Sequence, residues 1–344
     1  MGLTEKQADE VREYLDNSKN PIFFYDDDQD GLCAFLQLYK YKKEGQGIIL
    51  KSSPKLDVTF LRKVEENNAD IVFILDIANV DQEFLDGLKV PAIWIDHHGP
   101  FEKRNVKYYN PRLNDKNENV PTSYLCYQIA RQDLWIAALG TIADWHVPEF
   151  LDEFKMKYPD LIDSKLKTAP EMIFDSKFGK LIRIYSFVLK GKTTDVMKCI
   201  NALTKIKEPN DVLEKKTEEG KFIYKRFAKV NEMYEILWKD LKEAGEEDKE
   251  KLLVFKYKDD HWSFTSDLSN EAIYRFPEKV ILIAREKNEQ MKGSLRSTKA
   301  ILPPILEKVL VGLTGYGGGH EHACGFNVKK DDFDLFVERL KESL

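Results

Sequence analysis

The chain has 344 residues with 42% hydrophobic content, enough for two ordinary domains with sizeable cores. Its formal net charge of −6 excludes a surface coated in positive charge for indiscriminate DNA binding, but leaves room for a local groove, since carboxylates that bind metal count as negative in this sum. No apolar run approaches the roughly 18 residues of a membrane span, and MGLTEKQADEVREYL is charged and amphipathic, so a cytoplasmic protein without membrane contact is expected.

The first 150 residues alternate short apolar runs with helical patterns. Strands are expected at 22–25, 48–50, 71–75 and 92–95, with helices over 32–43, 58–67 and 82–88. Continuous apolar strands separated by helices point to a parallel sheet covered on both faces. One or two helices are expected after Pro121, and a charged helical section from about 151 to 248. The polar LKEAGEEDKEK segment marks a boundary there. A smaller α/β domain is expected over 249–344, with a strand at LLVFKY, a polar turn at 259–262, a strand at 279–284 and the Gly-rich GYGGGH (315–320). The expected architecture is α/β: a doubly wound parallel-sheet domain over 1–150, a helical extension over 151–248 and the small domain over 249–344. Cys33, Cys126, Cys199 and Cys324 form no CxxC pair, so free, mostly buried thiols are expected.

Directly after the first strand stands Asp26-Asp27-Asp28-Gln29-Asp30-Gly31. Spaced carboxylates before a glycine suit a hard divalent cation, and an EF-hand loop opens this way. Here the twelfth loop position is Gln37 rather than a bidentate Glu, and a strand precedes the loop, so that reading fails. Taken alone, the segment is also compatible with a solvated acidic turn. The third strand ends in Asp76 and the fourth in Asp96-His97-His98. In a parallel sheet these ends lie side by side at the carboxyl edge, where α/β proteins place their ligands. Carboxylates that close would repel, and divalent cations would remove the conflict; mixed Asp/His ligation suits Mn²⁺, with Mg²⁺ as the alternative. Asp144, in GTIADWHVP, is a further acidic candidate.

Taken together, DDDQDG, LD at 75–76, DHH at 96–98 and AD at 143–144 resemble the four-motif signature of the DHH phosphoesterase superfamily. Lys292-Gly293-Ser294-Leu295-Arg296-Ser297 and Gly317-Gly318-Gly319-His320 resemble the SxRS and GGGH motifs of its associated C-terminal domain. The resemblance implies a two-metal phosphodiesterase. Asp28 would ligate one ion and Asp30 the other, Asp76 would bridge both, and His97 and Asp144 would complete the second site. Asp26 stands where related pyrophosphatases carry a ligating His and RecJ-like nucleases an Asp. Asp96 would orient the neighbouring His, and His98 would face the scissile phosphate. Ser294, Arg296, Gly317, Gly318, Gly319 and His320 would bind substrate.

The D-x-D-x-D-G opening resembles that of RecJ-like exonucleases, and at this length the chain looks more like their compact archaeal members. Single-stranded DNA or RNA is therefore the expected partner, with replication or repair proteins as further partners. A nanoRNase, nucleotide phosphatase or cyclic-dinucleotide phosphodiesterase is the competing enzymatic reading, and a non-catalytic replication or repair subunit the third. Lys221, Lys225 and Lys229, interleaved with Phe222, Tyr224, Arg226 and Phe227, could follow a nucleic-acid backbone or simply be a solvated face over a core stripe. Tyr108, Tyr109 and Trp145 stay open between core and base stacking.

Overall fold

Strands without polar alternation must be covered on both faces, and the first half of the chain is built on that requirement. The computed structural model describes residues 2–51, 55–258 and 261–344. In chain order the strands of this half are β1 (Pro21–Asp26), β2 (Gln46–Leu50), β3 (Lys55–Leu56), β4 (Ile71–Leu75), β5 (Asn79–Val80), β6 (Ala92–Ile95) and β7 (Lys107–Tyr109). One parallel sheet runs β2-β1-β4-β6-β7, while β3 and β5 pair separately as a short ribbon. Counting sheet strands alone, the order is 2-1-3-4-5, a doubly wound arrangement whose winding reverses between β1 and β4. The four expected strands are all present. The additional β7 is three residues long and half exposed, too short for an apolar run to announce it.

The helices around this sheet are α1 (Glu5–Asn17), α2 (Gln29–Lys42), α3 (Leu61–Glu66), α4 (Gln82–Gly87), α5 (Thr122–Ala130) and α6 (Leu134–Ala143). Alternate residues of β1 serve opposite layers. Phe23 and Tyr25 meet Phe35 of α2, with ring centroids 5.7 and 4.6 Å away, whereas Phe24 meets Phe84 of α4 at 5.9 Å. Ile22, Val72, Ile74 and Trp94 continue the α4 side, where Val64 of α3 also packs.

The chain divides into two compact units, Met1–Phe227 and Ala228–Leu344, and the divide falls inside the long helix Glu218–Glu247. Helices following α6 join the first unit through aromatic contacts: Phe154 on Phe178 at 4.7 Å, Trp135 on Tyr185 at 6.2 Å and Phe187 on Phe227 at 5.8 Å. The stripe along the long helix resolves residue by residue. Ile223 and Phe227 are core, Tyr224 takes a hydrogen bond from Lys180 at 2.9 Å with Lys215 over its ring, and Phe222, Lys221, Lys225 and Lys229 are exposed.

The second unit holds β8 (Leu252–Lys258), β9 (Val280–Lys287), β10 (Gln290–Arg296), β11 (Gly315–His320) and β12 (Ala323–Lys329), ordered β11-β12-β10-β9-β8. Only β8 and β9 are parallel. Leu282, Leu295, Leu306, Phe326 and Phe336 form its core with the helices Leu302–Leu310 and Phe333–Ser343. The Gly-rich segment is thus an edge strand; with no apolar alternation of its own, it is held by pairing with β12. Of the polar turn expected at 259–262, Asp259 and Asp260 lie outside the described residues. All four cysteines are free and buried, as expected.

The link between β1 and α2 leaves no room for a side chain at Gly31, where a Cβ would lie 2.8 Å from the Asp26 carbonyl oxygen and 2.9 Å from the Asp26 nitrogen. Gly31→Ala is expected to destabilise the protein by about 1–3 kcal/mol in urea unfolding. A change within about 0.5 kcal/mol would show that this turn is not sterically locked.

Candidate metal centre

The reversal of winding leaves a crevice at the carboxyl ends of β1 and β4, and the acidic motifs empty into it. Asp28 is the N-cap of α2, its Oδ1 accepting the Gly31 N–H at 2.9 Å. Asp30, two residues on, is buried. Its Oδ2 accepts the Thr122 N–H at 2.7 Å, and its Oδ1 accepts the Ser123 N–H at 2.9 Å and the Ser123 hydroxyl at 2.5 Å. The N-terminus of α5 thus clasps this carboxylate, as helix N-termini clasp anions generally. Asp76 follows β4 in the left-handed region, φ 59°, which costs a non-glycine residue energy and turns its carboxylate out of the strand. The turn is held by the Asp76 N–H on the Ile95 carbonyl (3.0 Å), the Trp94 indole on the Ile77 carbonyl (3.0 Å) and the Thr122 hydroxyl on Asp76 Oδ1 (3.0 Å).

Around Asp76 the motifs converge. His97 Nε2 lies 3.5 Å from Asp76 Oδ1 and 3.8 Å from Asp144 Oδ2. These are separations expected of atoms that share one ion at about 2.0–2.2 Å each. Asp76, His97 and His98 can all offer ligand atoms within 4.8 Å of one another. His98 is set apart, however, because its Nδ1 is hydrogen-bonded to Asp96 Oδ1 at 2.8 Å, which leaves only Nε2 for another partner. Asp96 is fully buried and also accepts from Tyr108 Oη at 3.1 Å, while Asn110 donates to the His98 carbonyl at 2.9 Å. Tyr108 in turn stacks on Trp94 at 4.1 Å.

Electrostatics show what is missing from this constellation. Desolvation, followed by the charge of Asp30, holds Asp28 above the usual carboxylate range. Desolvation and then Asp30 and Asp28 raise Asp76 and Asp144 well above it, and desolvation raises Asp30 against its hydrogen bonds. Asp26 is pushed to about 7 by desolvation and then Asp28. Asp27 is pushed to about 6 by desolvation, although Lys51 sits 3.1 Å away. No Lys or Arg forms an ion pair with Asp28, Asp30, Asp76 or Asp144 among the described residues. Converging carboxylates with an imidazole among them and no Lys or Arg partner among the described residues are a donor set that fits divalent metal, with oxygen donors suiting Mg²⁺ and the nitrogen suiting Mn²⁺.

In the second unit, Ser294 and Arg296 lie two apart on β10 and share a face. Register aligns Ser294 with Gly325 and Gly318, and Arg296 with Ala323 and His320, so the two C-terminal motifs lie in matched rows across β12. Gly317, Gly318, Gly319 and His320 are all exposed on the edge strand. Among the described residues the guanidinium of Arg296 has only neutral partners: Nε on Asn270 Oδ1 at 2.7 Å, Nη1 on the Leu295 and Cys324 carbonyls, and Nη2 on Ser266 Oγ at 3.3 Å. Desolvation lowers its pKa to about 10, so an anion would be a welcome partner, although a bidentate grip requires Asn270 or Ser266 to give way.

Sequence reasoning missed the residues that hold the named ones in place. Thr122 and Ser123 were visible as hydroxyl residues after Pro121 at a helix start, but nothing local shows that Asp30 is the anion they meet. Asn110, Ser266 and Asn270 carried no signal. Of the aromatics left open, Tyr109 is buried and Tyr108 is bound to Asp96, whereas Trp145 is 42% exposed.

The family model described as the DHHA1 domain matches residues 249–344. RecJ from Thermus thermophilus, solved with Mn²⁺, aligns with a TM-score of 0.68 at 16% identity, covering 98% of this chain and 54% of that one. The chain therefore spans about half the length of that protein. A manganese-bound exonuclease RecJ aligns with a TM-score of 0.62 at 16% identity, over 99% of this chain and 94% of its own. The DHH domain of a member of the s1p family of ribosomal proteins gives 0.66 at 14% identity, over 98% and 89%. No curated protein matches the chain in a sequence search. Residues 249–344 match the DHHA1 domain, and the chain as a whole shares the fold of these solved structures. No helix among the described residues is long and apolar enough to cross a membrane.

The raised carboxyl groups set a pH dependence in metal-free protein. An acid whose folded pKa exceeds its unfolded value near 4 stabilises the fold while protonated and loses that contribution as pH rises through the folded pKa. For Asp26 and Asp27 the loss falls at about 7 and about 6. His98 acts in the same sense: burial lowers its pKa, but Asp96 outweighs this and leaves it raised. His97, lowered to about 4 by burial and then by His98, opposes the trend only below its unfolded value near 6.5. In EDTA, Tm is expected to fall between pH 6.5 and 8, and Mn²⁺ to raise Tm more at pH 8 than at pH 6.5. A calorimetric Tm that is flat over this range would contradict a crowded, cation-free carboxylate site.

Proposed function

We propose that the protein is a divalent-metal-dependent phosphoesterase, and within that class an exonuclease acting on single-stranded DNA or RNA. The observation that carries this reading is the convergence of Asp28, Asp30, Asp76, Asp144 and His97 at the switch point of a parallel sheet, with raised carboxyl pKa values and no Lys or Arg among the described residues paired with them. The RecJ fold and the Mn²⁺ and Mg²⁺ named with those structures support it.

Asp28, Asp30, Asp76, Asp144 and His97 would hold two ions, with Asp26 as a further donor. Bound there, such ions supply an activated water near neutral pH and neutralise charge that develops on phosphoryl oxygens. The protein supplies the geometry. Thr122 and Ser123 fix Asp30, and Thr122 fixes Asp76, so two carboxylates keep their positions despite mutual repulsion. Asp96 anchors His98 through Nδ1 and favours its charged form, which leaves a proton on Nε2 to stabilise the phosphoryl group or pass to a leaving oxygen. Arg296 and the backbone N–H groups of Gly317, Gly318 and Gly319 would bind a further phosphate of the strand.

Preference for nucleic acid over small phosphoesters rests on Trp145. It directly follows Asp144, is held at φ 61°, and leaves its indole 42% exposed with Phe174 at its edge. A bulky residue held in that backbone region at a ligand site points to a use for the ring, and a nucleobase stacks on such a face with about 1–3 kcal/mol.

The test is Mn²⁺-dependent digestion of end-labelled single-stranded DNA and RNA, two to about thirty nucleotides long, with Asp76→Ala as control. Progressive shortening of long strands, lost in the control, is expected; cleavage confined to the shortest substrates would move the protein to the nanoRNase reading. Trp145→Ala is expected to weaken oligonucleotide binding by about 10- to 100-fold while leaving turnover of a nitrophenyl phosphodiester within about twofold. Equal losses on both substrates would show that Trp145 supports the site rather than the base.

A further inference from the structure

His97 can donate an electron pair from Nε2, the nitrogen facing Asp76 and Asp144, only in the tautomer that carries its proton on Nδ1. Which nitrogen of a neutral imidazole keeps the proton is decided by the partner of the other one. Here Nδ1 lies 3.3 Å from Asn119 Oδ1. An asparagine amide alone does not settle the question, because turning it over presents an NH₂ group and would select the opposite tautomer.

Arg112 removes that ambiguity. Its Nη2 lies 2.7 Å from the same Asn119 atom, and a guanidinium has donors and no acceptor. The atom that Arg112 and His97 share is therefore the carbonyl oxygen, and His97 Nδ1 must be the donor to it. Arg112 is itself pinned, with Nε donating to the Glu118 carbonyl at 3.1 Å and its backbone N–H to Asn110 Oδ1 at 2.9 Å. Asn110 also donates to the His98 carbonyl, so one loop frames both histidines.

We propose that Arg112 and Asn119 are positioning residues: through the shared oxygen of Asn119, the charge of Arg112 fixes the Nδ1–H tautomer of His97 and so makes Nε2 the metal donor. The second half of this statement rests on the reading of His97 as a metal ligand; the first half does not. Asn119 is exposed, so its substitution leaves the core intact.

Two readouts separate the halves. In metal-free protein labelled with ¹⁵N-histidine at pH 8, with His97 assigned by His97→Gln, the wild-type chain is expected to show the proton on Nδ1. Asn119→Ala and Arg112→Ala should shift His97 toward a mixture of tautomers. Calorimetric titration with Mn²⁺ should then show affinity about 10- to 100-fold weaker in both variants. Asn119→Asp should retain wild-type tautomer and binding, since a carboxylate has only acceptor atoms. For the same reason the double variant Arg112→Ala, Asn119→Asp should recover both, which a purely structural role for Arg112 would not produce. A proton on Nε2 in the wild type, or variants unchanged in tautomer and in Mn²⁺ affinity, would overturn the proposal. Wild-type protein with the stated tautomer that binds no Mn²⁺ would uphold the relay and overturn His97 as a metal donor.

Discussion

Mutual repulsion among carboxylates brought to one edge of a parallel sheet is the constraint on which the first unit depends. Asp28, Asp30, Asp76 and Asp144 each resist ionisation where they stand, because water is withdrawn from all four and Asp28, Asp76 and Asp144 also face the charge of neighbouring carboxylates. The fold answers with directed dipoles rather than with lysine or arginine. The N-terminus of α5 offers two N–H groups and two hydroxyls to Asp30 and Asp76, and the N-terminus of α2 offers the Gly31 N–H to Asp28. A lysine in the same crevice would neutralise the charge but would also fill the place where cations fit.

The same logic explains the unusual backbone and the depth of support behind it. Asp76 takes a left-handed conformation so that its carboxylate leaves the strand, and a buried tryptophan locks the next peptide in place. That tryptophan stacks on Tyr108, whose hydroxyl serves Asp96, which anchors His98. Strain at one position is thus held by packing that also orients a second functional group. Precision of this kind comes from the core, and it explains why Trp94 and Trp135 are among the largest fully buried side chains of the molecule.

The two units place their functional groups by different means. In the first, crossover connections bring residues far apart in sequence to neighbouring strand ends. In the second, antiparallel register does the work, setting Ser294 level with Gly318 and Arg296 level with His320 through β12. Arg296 is a half-buried cation whose partners among the described residues are all neutral.

The carboxylates and histidines of the site were legible from local sequence because strand-ending apolar runs announce a parallel sheet, and such a sheet has one edge at which all strand ends meet. The four main strands, α2 and the order of the motifs followed from the same periodicity. What only the tertiary structure decided is how each group is aimed. β7 was too short to read, and GYGGGH carries no apolar alternation of its own, so its place as an edge strand came from pairing with β12 rather than from pattern. Thr122 meets Asp30 across 92 residues of chain, and Arg112 reaches His97 only through Asn119. Hydrogen bonds to a side chain place no periodic demand on sequence. They are fixed by the close packing of α2, α5 and the strand ends, and periodicity records which residues are buried, not what they face.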